Sequence, residues 1–320
     1  WTRFTGVQEA GFDKETFLRC ESDMRIVFIG TVGFSLSALE RLVSIGADIV
    51  GVCTLKESKL NSDHVDLSHI SVLHGIPWLY ANDINSVEVM NWIEHKAPDV
   101  VFCFGWSKLL KRELLELAPL GVIGFHPAAL PANRGRHPII WSLALGLDET
   151  ASSFFIMDEG ADSGPIISQE KIIIDDSDNA SSLYQKILEK IVPQIDEITN
   201  KFFTGSIVPK EQNHSKSNNW RKRSFKDGKI DWRMTAIDIN NLVRALSEPY
   251  LGAHYEYDNK FYTVFESKVC NIKYDINIEP GKILDIKTEE HLFLIKCAGN
   301  SAIWIYNETV VKHLQVGNYL

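Results

Sequence analysis

Cysteine is scarce: five residues in 320, none in a CxxC pair, leave little from which to build a disulfide framework or a zinc site. Cys20, Cys53, Cys103, Cys270 and Cys297 are widely scattered, and several fall in apolar runs that predict buried thiols. No apolar run approaches the roughly 20 residues a membrane span needs. The first 23 residues lack the unbroken apolar core of a signal peptide. These absences point to a reduced, soluble, cytoplasmic protein with no membrane partner and no metal site. Basic charge is also short, with 33 Lys and Arg against 42 Asp and Glu, a net charge of −9. Nucleic-acid binders usually carry a basic face, so this balance argues against such a partner. Arg221-Lys222-Arg223 is the local patch that the average could hide. Finally, Gly30-Thr31-Val32-Gly33 stops short of a full G-x-G-x-x-G, and no acidic residue closes the second strand. That predicts a tight turn into a helix rather than a dinucleotide site.

What is present is an alternation of apolar runs and helical periodicity that starts at Met24. Strands are predicted at Arg25–Gly30, Asp48–Thr54, Trp78–Ala81, Val100–Gly105, Val122–His126 and Ser152–Met157. Helices are predicted at Phe34–Ile45, Asp66–His74, Ser86–Lys96, Lys108–Leu117, Pro138–Leu145 and Ala180–Phe203. Runs such as Val100-Val101-Phe102-Cys103-Phe104 are apolar throughout, as strands covered on both faces must be. The expected fold is α/β, a doubly wound, mostly parallel sheet in the Rossmann manner, with ligands at the carboxyl ends of its strands. Thr204–Ser224 is polar and reads as a linker. Beyond it come a helix over Ala236–Leu246 and short runs at Ala253–Tyr257, Phe261–Val269, Lys282–Ile286, Leu292–Cys297 and Ala302–Tyr306. They predict a smaller β-rich subdomain, a small open barrel or sheet. The division is residues 1–23 as an extension without assigned role, 24–205 as the catalytic domain and 206–320 as the C-terminal subdomain. Met24 reads as an initiating methionine, with a short helix over Asp13–Cys20 before it.

The most informative stretch runs from Gly121 to Gly164. A short apolar run ends in His126, a Pro-punctuated loop leads to Asn133-Arg134-Gly135, and Asp162 closes the segment in a Gly-rich turn. A histidine can move a proton near neutral pH, and a carboxylate can orient it, so the pair suits acyl transfer. Read alone, His126 could be a packed strand histidine and Asp162 an ordinary turn former. The spaced elements His126-Pro127, Leu130-Pro131, Arg134-Gly135 and Asp162-Ser163-Gly164 together resemble the folate-dependent formyltransferase family, especially its sugar N-formyltransferase branch. Asp231-Trp232, Asn241 to Leu246 and Pro249-Tyr250 with Gly252-Ala253 resemble the opening of that family's C-terminal subdomain. The resemblance covers about Met24 to Tyr257.

The resemblance implies His126 and Asp162 as catalytic residues, the first transferring protons and the second holding it. It implies N10-formyltetrahydrofolate as formyl donor, bound near Phe104, Gly105 and Trp106, with Asp158 and Gly160 from the later loop. Phe104 also reads as core, and Asp158 as solvated or structural. Well-known members carry Asn two residues before the His as an oxyanion donor, whereas this chain has Gly124. Asn133, in the adjacent loop, is the candidate replacement. Losing one such donor costs other acyl-transfer enzymes roughly 3–4 kcal/mol. The acceptor implied is the amine of a dTDP- or UDP-linked amino-dideoxy sugar, as in lipopolysaccharide O-antigen biosynthesis. Its anionic part is assigned to Arg134, Gly135 and Arg136, because a guanidinium fork suits phosphate. Trp232 and Tyr250 are core by default and candidates for stacking on the base. Methionyl-tRNA formyl transfer, formyltetrahydrofolate hydrolysis and non-catalytic folate or sugar-nucleotide binding are the rival readings. The expected partners are small molecules, the folate and the nucleotide sugar, and assembly is left open up to a homodimer.

Overall fold

Alternate residues of strand β1 (Arg25–Gly30) feed two different cores. Ile26 and Phe28 join one apolar cluster, whereas Val27 and Ile29 join a second on the opposite face of the sheet. This is the two-residue period of a strand covered on both sides. Strand β4 (Val100–Phe104) does the same, with Phe102 and Phe104 in the first cluster and Val101 and Cys103 in the second. The computed structural model describes residues 24–58 and 63–320. The helix expected over Asp13–Cys20 lies outside the described residues, as does Cys20.

The elements follow the expected alternation. After β1 come α1 (Gly33–Ser44), β2 (Asp48–Thr54), α2 (Ser68–Leu73), β3 (Trp78–Tyr80) and α3 (Val87–His95). After β4 come α4 (Arg112–Leu115), β5 (Val122–His126), the short β6 (Arg134–Gly135), α5 (Pro138–Ala144), β7 (Glu149–Ile156), β8 (Ile166–Ile173) and α6 (Ala180–Phe203). Seven strands form one sheet in the order β3-β2-β1-β4-β5-β7-β8; the first five are parallel, β7 is antiparallel to β5, and β8 is antiparallel to β7. The strand order reverses between β1 and β4, which opens a crevice at their carboxyl ends. Gly30 sits there as packing requires: a Cβ would lie 2.6 Å from Ser35 Cβ and 2.9 Å from the Phe104 carbonyl oxygen. Helix α6 starts at an Asn179–Ser182 capping box and buries Leu183, Ile187, Ile191, Ile195, Ile198 and Phe202, one helical stripe, against the first cluster.

The C-terminal region holds β9 (Asn219–Trp220), α7 (Ala236–Ala245), the hairpin β10 (Ala253–Tyr257) and β11 (Lys260–Val264), and β12 (Ser267–Val269), β13 (Ile283–Lys287), β14 (Leu292–Lys296) and β15 (Ala302–Tyr306). The last four make an antiparallel sheet in the order β12-β15-β14-β13. Trp232, Tyr255, Phe293 and Ile303 belong to the same cluster as Phe28 and Phe102, so one core runs through both halves. Of the cysteines, Cys53, Cys103 and Cys297 are buried and Cys270 is half-buried.

Four expectations change. Strand β8 has no forecast because Gln169-Glu170-Lys171 breaks its apolar pattern; at the edge of the sheet only Ile167 and Ile172 are buried. The single run Phe261–Val269 splits, because the chain leaves the hairpin after Val264 and joins the other sheet at Ser267. Helix α4 is one turn long, since Lys108 and Lys111 bond the Asn82 carbonyl and the Asn85 side chain instead of starting a helix. Finally, 204–224 is not a free linker. Its polar groups are spent on the loop before α5: β9 pairs in parallel with β6, and Gln212 is buried.

Candidate active site

Strand β5 lies between β4 and β7, and its apolar residues deliver His126 to the carboxyl edge of the sheet at 5% exposure. The loop after it is fastened from two neighbouring strands. Thr150 Oγ1 donates to the Pro127 carbonyl, Ser153 Oγ to that of Ala128, and Gln169 Nε2 to that of Leu130. The loop then returns so that the Asn133 carbonyl stands 2.8 Å from His126 Nε2. A carbonyl only accepts, so the ring proton sits on Nε2. Nδ1 faces Asp162 Oδ2 at 3.6 Å.

Asp162 adopts a left-handed backbone, φ 53°, in the turn after β7. Its Oδ2 accepts the Gly135 N–H at 2.8 Å, which aims the carboxylate at the imidazole. Gly135 has φ 101°, and a Cβ there would lie 2.4 Å from the Trp220 carbonyl oxygen. Only glycine meets both conditions. Gln212 closes the arrangement from behind: its Nε2 donates to the Asp162 and Gly164 carbonyls at 2.9 and 2.7 Å, and its Oε1 accepts from Arg134.

The expected catalytic residues His126 and Asp162 are thus brought together. Asn133 serves them through its backbone, holding His126 by its carbonyl and donating its N–H to Asn218 Oδ1. Arg134 departs from its expected role. It is 6% exposed and bonded to Gln212 and His214, so it braces the segment behind the loop rather than presenting a cation to an anion. Arg136 is half-buried, with Nη1 donating to the Ser107 carbonyl past the end of β4.

The expected folate residues divide. Phe104 is core, 1% exposed and edge-on to Phe28 and Phe154. Gly105 is packed as well, since a Cβ would lie 2.2 Å from Val32 Cγ2. Trp106 keeps a buried indole N–H without a partner among the described residues. An unpartnered donor at this edge fits a flat group with acceptor atoms on its rim. Asp158 accepts from the Gly160 N–H and the Ser163 hydroxyl, so both shape the turn that presents Asp162. Trp232 is core against Tyr255. It also lines a cavity of about 780 Å³ with Lys229, Arg233 and Asp258. Tyr250 lines another of about 640 Å³ with Gly33, Asp63 and Tyr184, where burial raises the Tyr250 hydroxyl and the Asp63 carboxyl above their usual ranges. Neither cavity is lined by His126 or Asp162.

At Gly124 a Cβ would stand 2.8 Å from Met157 Cγ and 2.8 Å from Phe155 Cζ. The place of the missing asparagine is therefore filled by two β7-end side chains. Met157, Gln212, Asn218 and His214 escaped the sequence reading. Met157 looks like one more apolar residue, and the others sit in a polar tract where each resembles a solvated loop side chain.

A family described as formyl transferase matches residues 24–194, and one described as the formyl transferase C-terminal domain matches residues 223–312. A methionyl-tRNA formyltransferase from Caldanaerobacter subterraneus subsp. tengcongensis is 28% identical over 283 residues, 87% of this chain and 90% of that protein. Among solved structures, WlaRD, a sugar 3N-formyl transferase crystallised with dTDP and 5-N-formyl-THF, has a TM-score of 0.66 at 18% identity, covering 89% of this chain and 98% of its own. The N-formyltransferase of Helicobacter canadensis, solved with folinic acid and dTDP-3-aminofucose, also scores 0.66 at 18% identity, covering 88% and 98%. The two-domain match over this fold and site makes the chain a member of the formyl transferase family. It is an N-formyltransferase, and its formyl donor is N10-formyltetrahydrofolate.

Proposed function

We propose that this enzyme formylates the amine of a nucleotide-linked (dTDP or UDP) amino sugar. N10-formyltetrahydrofolate supplies the activated formyl carbon. The acceptor amine attacks that carbon, the tetrahedral oxyanion collapses with cleavage of the N10–formyl bond, and tetrahydrofolate leaves with the proton that His126 took from the amine. His126 holds its Nε2 proton on Asn133 and offers Nδ1 to a proton of the acceptor amine. The imidazolium so formed is countered by Asp162 Oδ2 at 3.6 Å, which the Gly135 N–H keeps in place. General acid–base assistance of this kind is worth about 10²–10⁴-fold. Trp106 offers an uncommitted N–H at the edge where the donor is assigned. Asn133 is the candidate to assist the developing oxyanion, since Gly124 carries no side chain and its space is filled.

The observation that carries the acceptor is charge. A net charge of −9 runs against the basic balance usual for a protein that binds a tRNA acceptor. The likeness to WlaRD and to the Helicobacter canadensis enzyme, solved with dTDP and with dTDP-3-aminofucose, supports the same reading. Relatives named methionyl-tRNA formyltransferase, at 27–31% identity, favour a second one. The test offers the purified enzyme and N10-formyltetrahydrofolate a dTDP- or UDP-linked amino sugar or charged initiator tRNA, and tracks formylated product by mass. We expect product with a nucleotide sugar. Formyl-methionyl-tRNA made at a comparable or higher rate overturns the sugar reading in favour of the second.

A further inference from the structure

Two basic runs about 85 residues apart in sequence lie side by side at the active-site loop. The parallel pairing of Arg134 with Asn219 and of Gly135 with Trp220, continued by Arg136 N–H to the Trp220 carbonyl at 3.0 Å, sends both chains out in one direction. One strand runs on into Arg136-His137, and the other into Arg221-Lys222-Arg223. Trp141 lies between them: the Arg223 and Arg221 guanidinium carbons sit 4.7 and 5.4 Å from its ring centroid, and its Nε1 donates to the Arg221 carbonyl.

Among the described residues only one of these cations forms an ion pair, although the Asp227 carboxylate also acts on Arg223 and His137. Arg221 is paired with Asp227. Arg136 bonds only the Ser107 carbonyl through its side chain, and Arg223 the Asp227 backbone carbonyl. Among the described residues neither they nor Lys222 forms an ion pair. Burial, then Arg136, Arg223 and Lys222, lower the His137 pKa, and its Nε2 is buried without a partner among the described residues. Crowding like charges is unfavourable, so a local excess in an acidic chain asks for an anion. Its position is informative too. Arg136 and His137 directly succeed Gly135, whose N–H holds Asp162. The His137 Cα thus lies within about 7.6 Å of the Gly135 Cα.

We propose that Arg136, His137, Lys222 and Arg223, set around Trp141, form the site for the diphosphate of the acceptor. This rests on the nucleotide-sugar reading above and gives that acceptor its anchor, with any nucleoside diphosphate as the recognised class. Arg136 and Arg223 supply forked donors to phosphate oxygens, Lys222 a third charge, and His137 Nε2 a proton once an anion offsets its basic neighbours.

The test is titration calorimetry of the full chain with dTDP, UDP and thymidine, alongside melting temperatures. Comparison is with Lys222→Ala/Arg223→Gln and, as a guard against misfolding, with Arg223→Lys. Wild type is expected to bind a diphosphate, and the double variant to bind it roughly 10–100-fold more weakly, the size of one or two charge-assisted hydrogen bonds. Arg223→Lys recovers part of the loss, and the modest affinity for thymidine is the same in all three. Equal diphosphate affinity in wild type and double variant, while wild type still formylates a nucleotide sugar, overturns this site alone. A wild type that binds neither diphosphate nor formylates the sugar overturns the acceptor reading with it. A loss confined to tRNA formylation reassigns the cations to a nucleic acid and equally overturns the proposal.

Discussion

The backbone N–H of Gly135 meets Asp162 Oδ2 at 2.8 Å, and that contact decides which way the carboxylate faces His126. Gly135→Ala would place a methyl 2.4 Å from the Trp220 carbonyl oxygen at a backbone angle of 101°. The expected cost is about 1–3 kcal/mol of stability. Activity should fall further than stability explains, because the loop must move away from Asp162. Urea unfolding and kcat on one preparation check this; an alanine enzyme with unchanged kcat removes Gly135 from the positioning of Asp162.

Removing either reacting group should leave a folded but nearly inactive protein. His126→Ala deletes the proton acceptor. Asp162→Asn is subtler: with the amide oxygen in the place of Oδ2 the Gly135 contact survives, but the negative charge that counters the imidazolium is gone. Both variants are expected to lose about 10²–10⁴-fold in kcat, with circular dichroism and melting unchanged. A near-normal kcat in either withdraws the role from that residue.

Restoring the commoner family residue should not help. In Gly124→Asn the new side chain meets Met157 and Phe155 at 2.8 Å, and overpacking of this kind costs about 1–3 kcal/mol. The paired variant Gly124→Asn/Met157→Ala makes room and should recover most of that stability. A single substitution that raises kcat tenfold without loss of stability would show Gly124 to be a simple deficit.

Acid should loosen the base of the Arg221–Arg223 run. The Arg221 guanidinium, then the Ser224 N–H, hold the Asp227 carboxyl well below the usual carboxylate range. A depressed folded-state pKa contributes stability that is fully present above the unfolded value of about 3.9 and is lost as pH falls through the folded one. Wild type should therefore exceed Asp227→Asn by a constant margin from about pH 7 to pH 5, narrowing below about pH 4. Urea midpoints across this range decide the matter, and a margin that stays flat down to pH 3 rules Asp227 out as the source.

Much of this was legible in the chain because the physics is local. Unbroken apolar runs announce strands covered on both faces, and His126 and Asp162 announce themselves through the spacing of the residues around them. What stayed hidden depends on distant partners. Arg134 looks like a phosphate anchor until Gln212 takes its guanidinium, and nothing near Gln212 distinguishes it from a solvated loop residue. Phe104, by contrast, already reads as core in the sequence, and it packs edge-on to Phe28 and Phe154. The split of Phe261–Val269 between two sheets is likewise decided by pairing rather than composition.

The parallel pair between Arg134–Gly135 and Asn219–Trp220 has a consequence for how such enzymes can be recombined. The family match to the first domain ends at residue 194, which looks like the natural seam for exchanging halves between relatives. A graft made there would discard Gln212, Asn218 and Trp220, and with them the partners of the Asp162 and Gly164 carbonyls and of the Asn133 and Arg136 N–H groups. The histidine would be inherited without the scaffold that aims its carboxylate. A functional chimera must carry its own stretch through Trp220, so the portable catalytic unit is longer than the sheet that houses it.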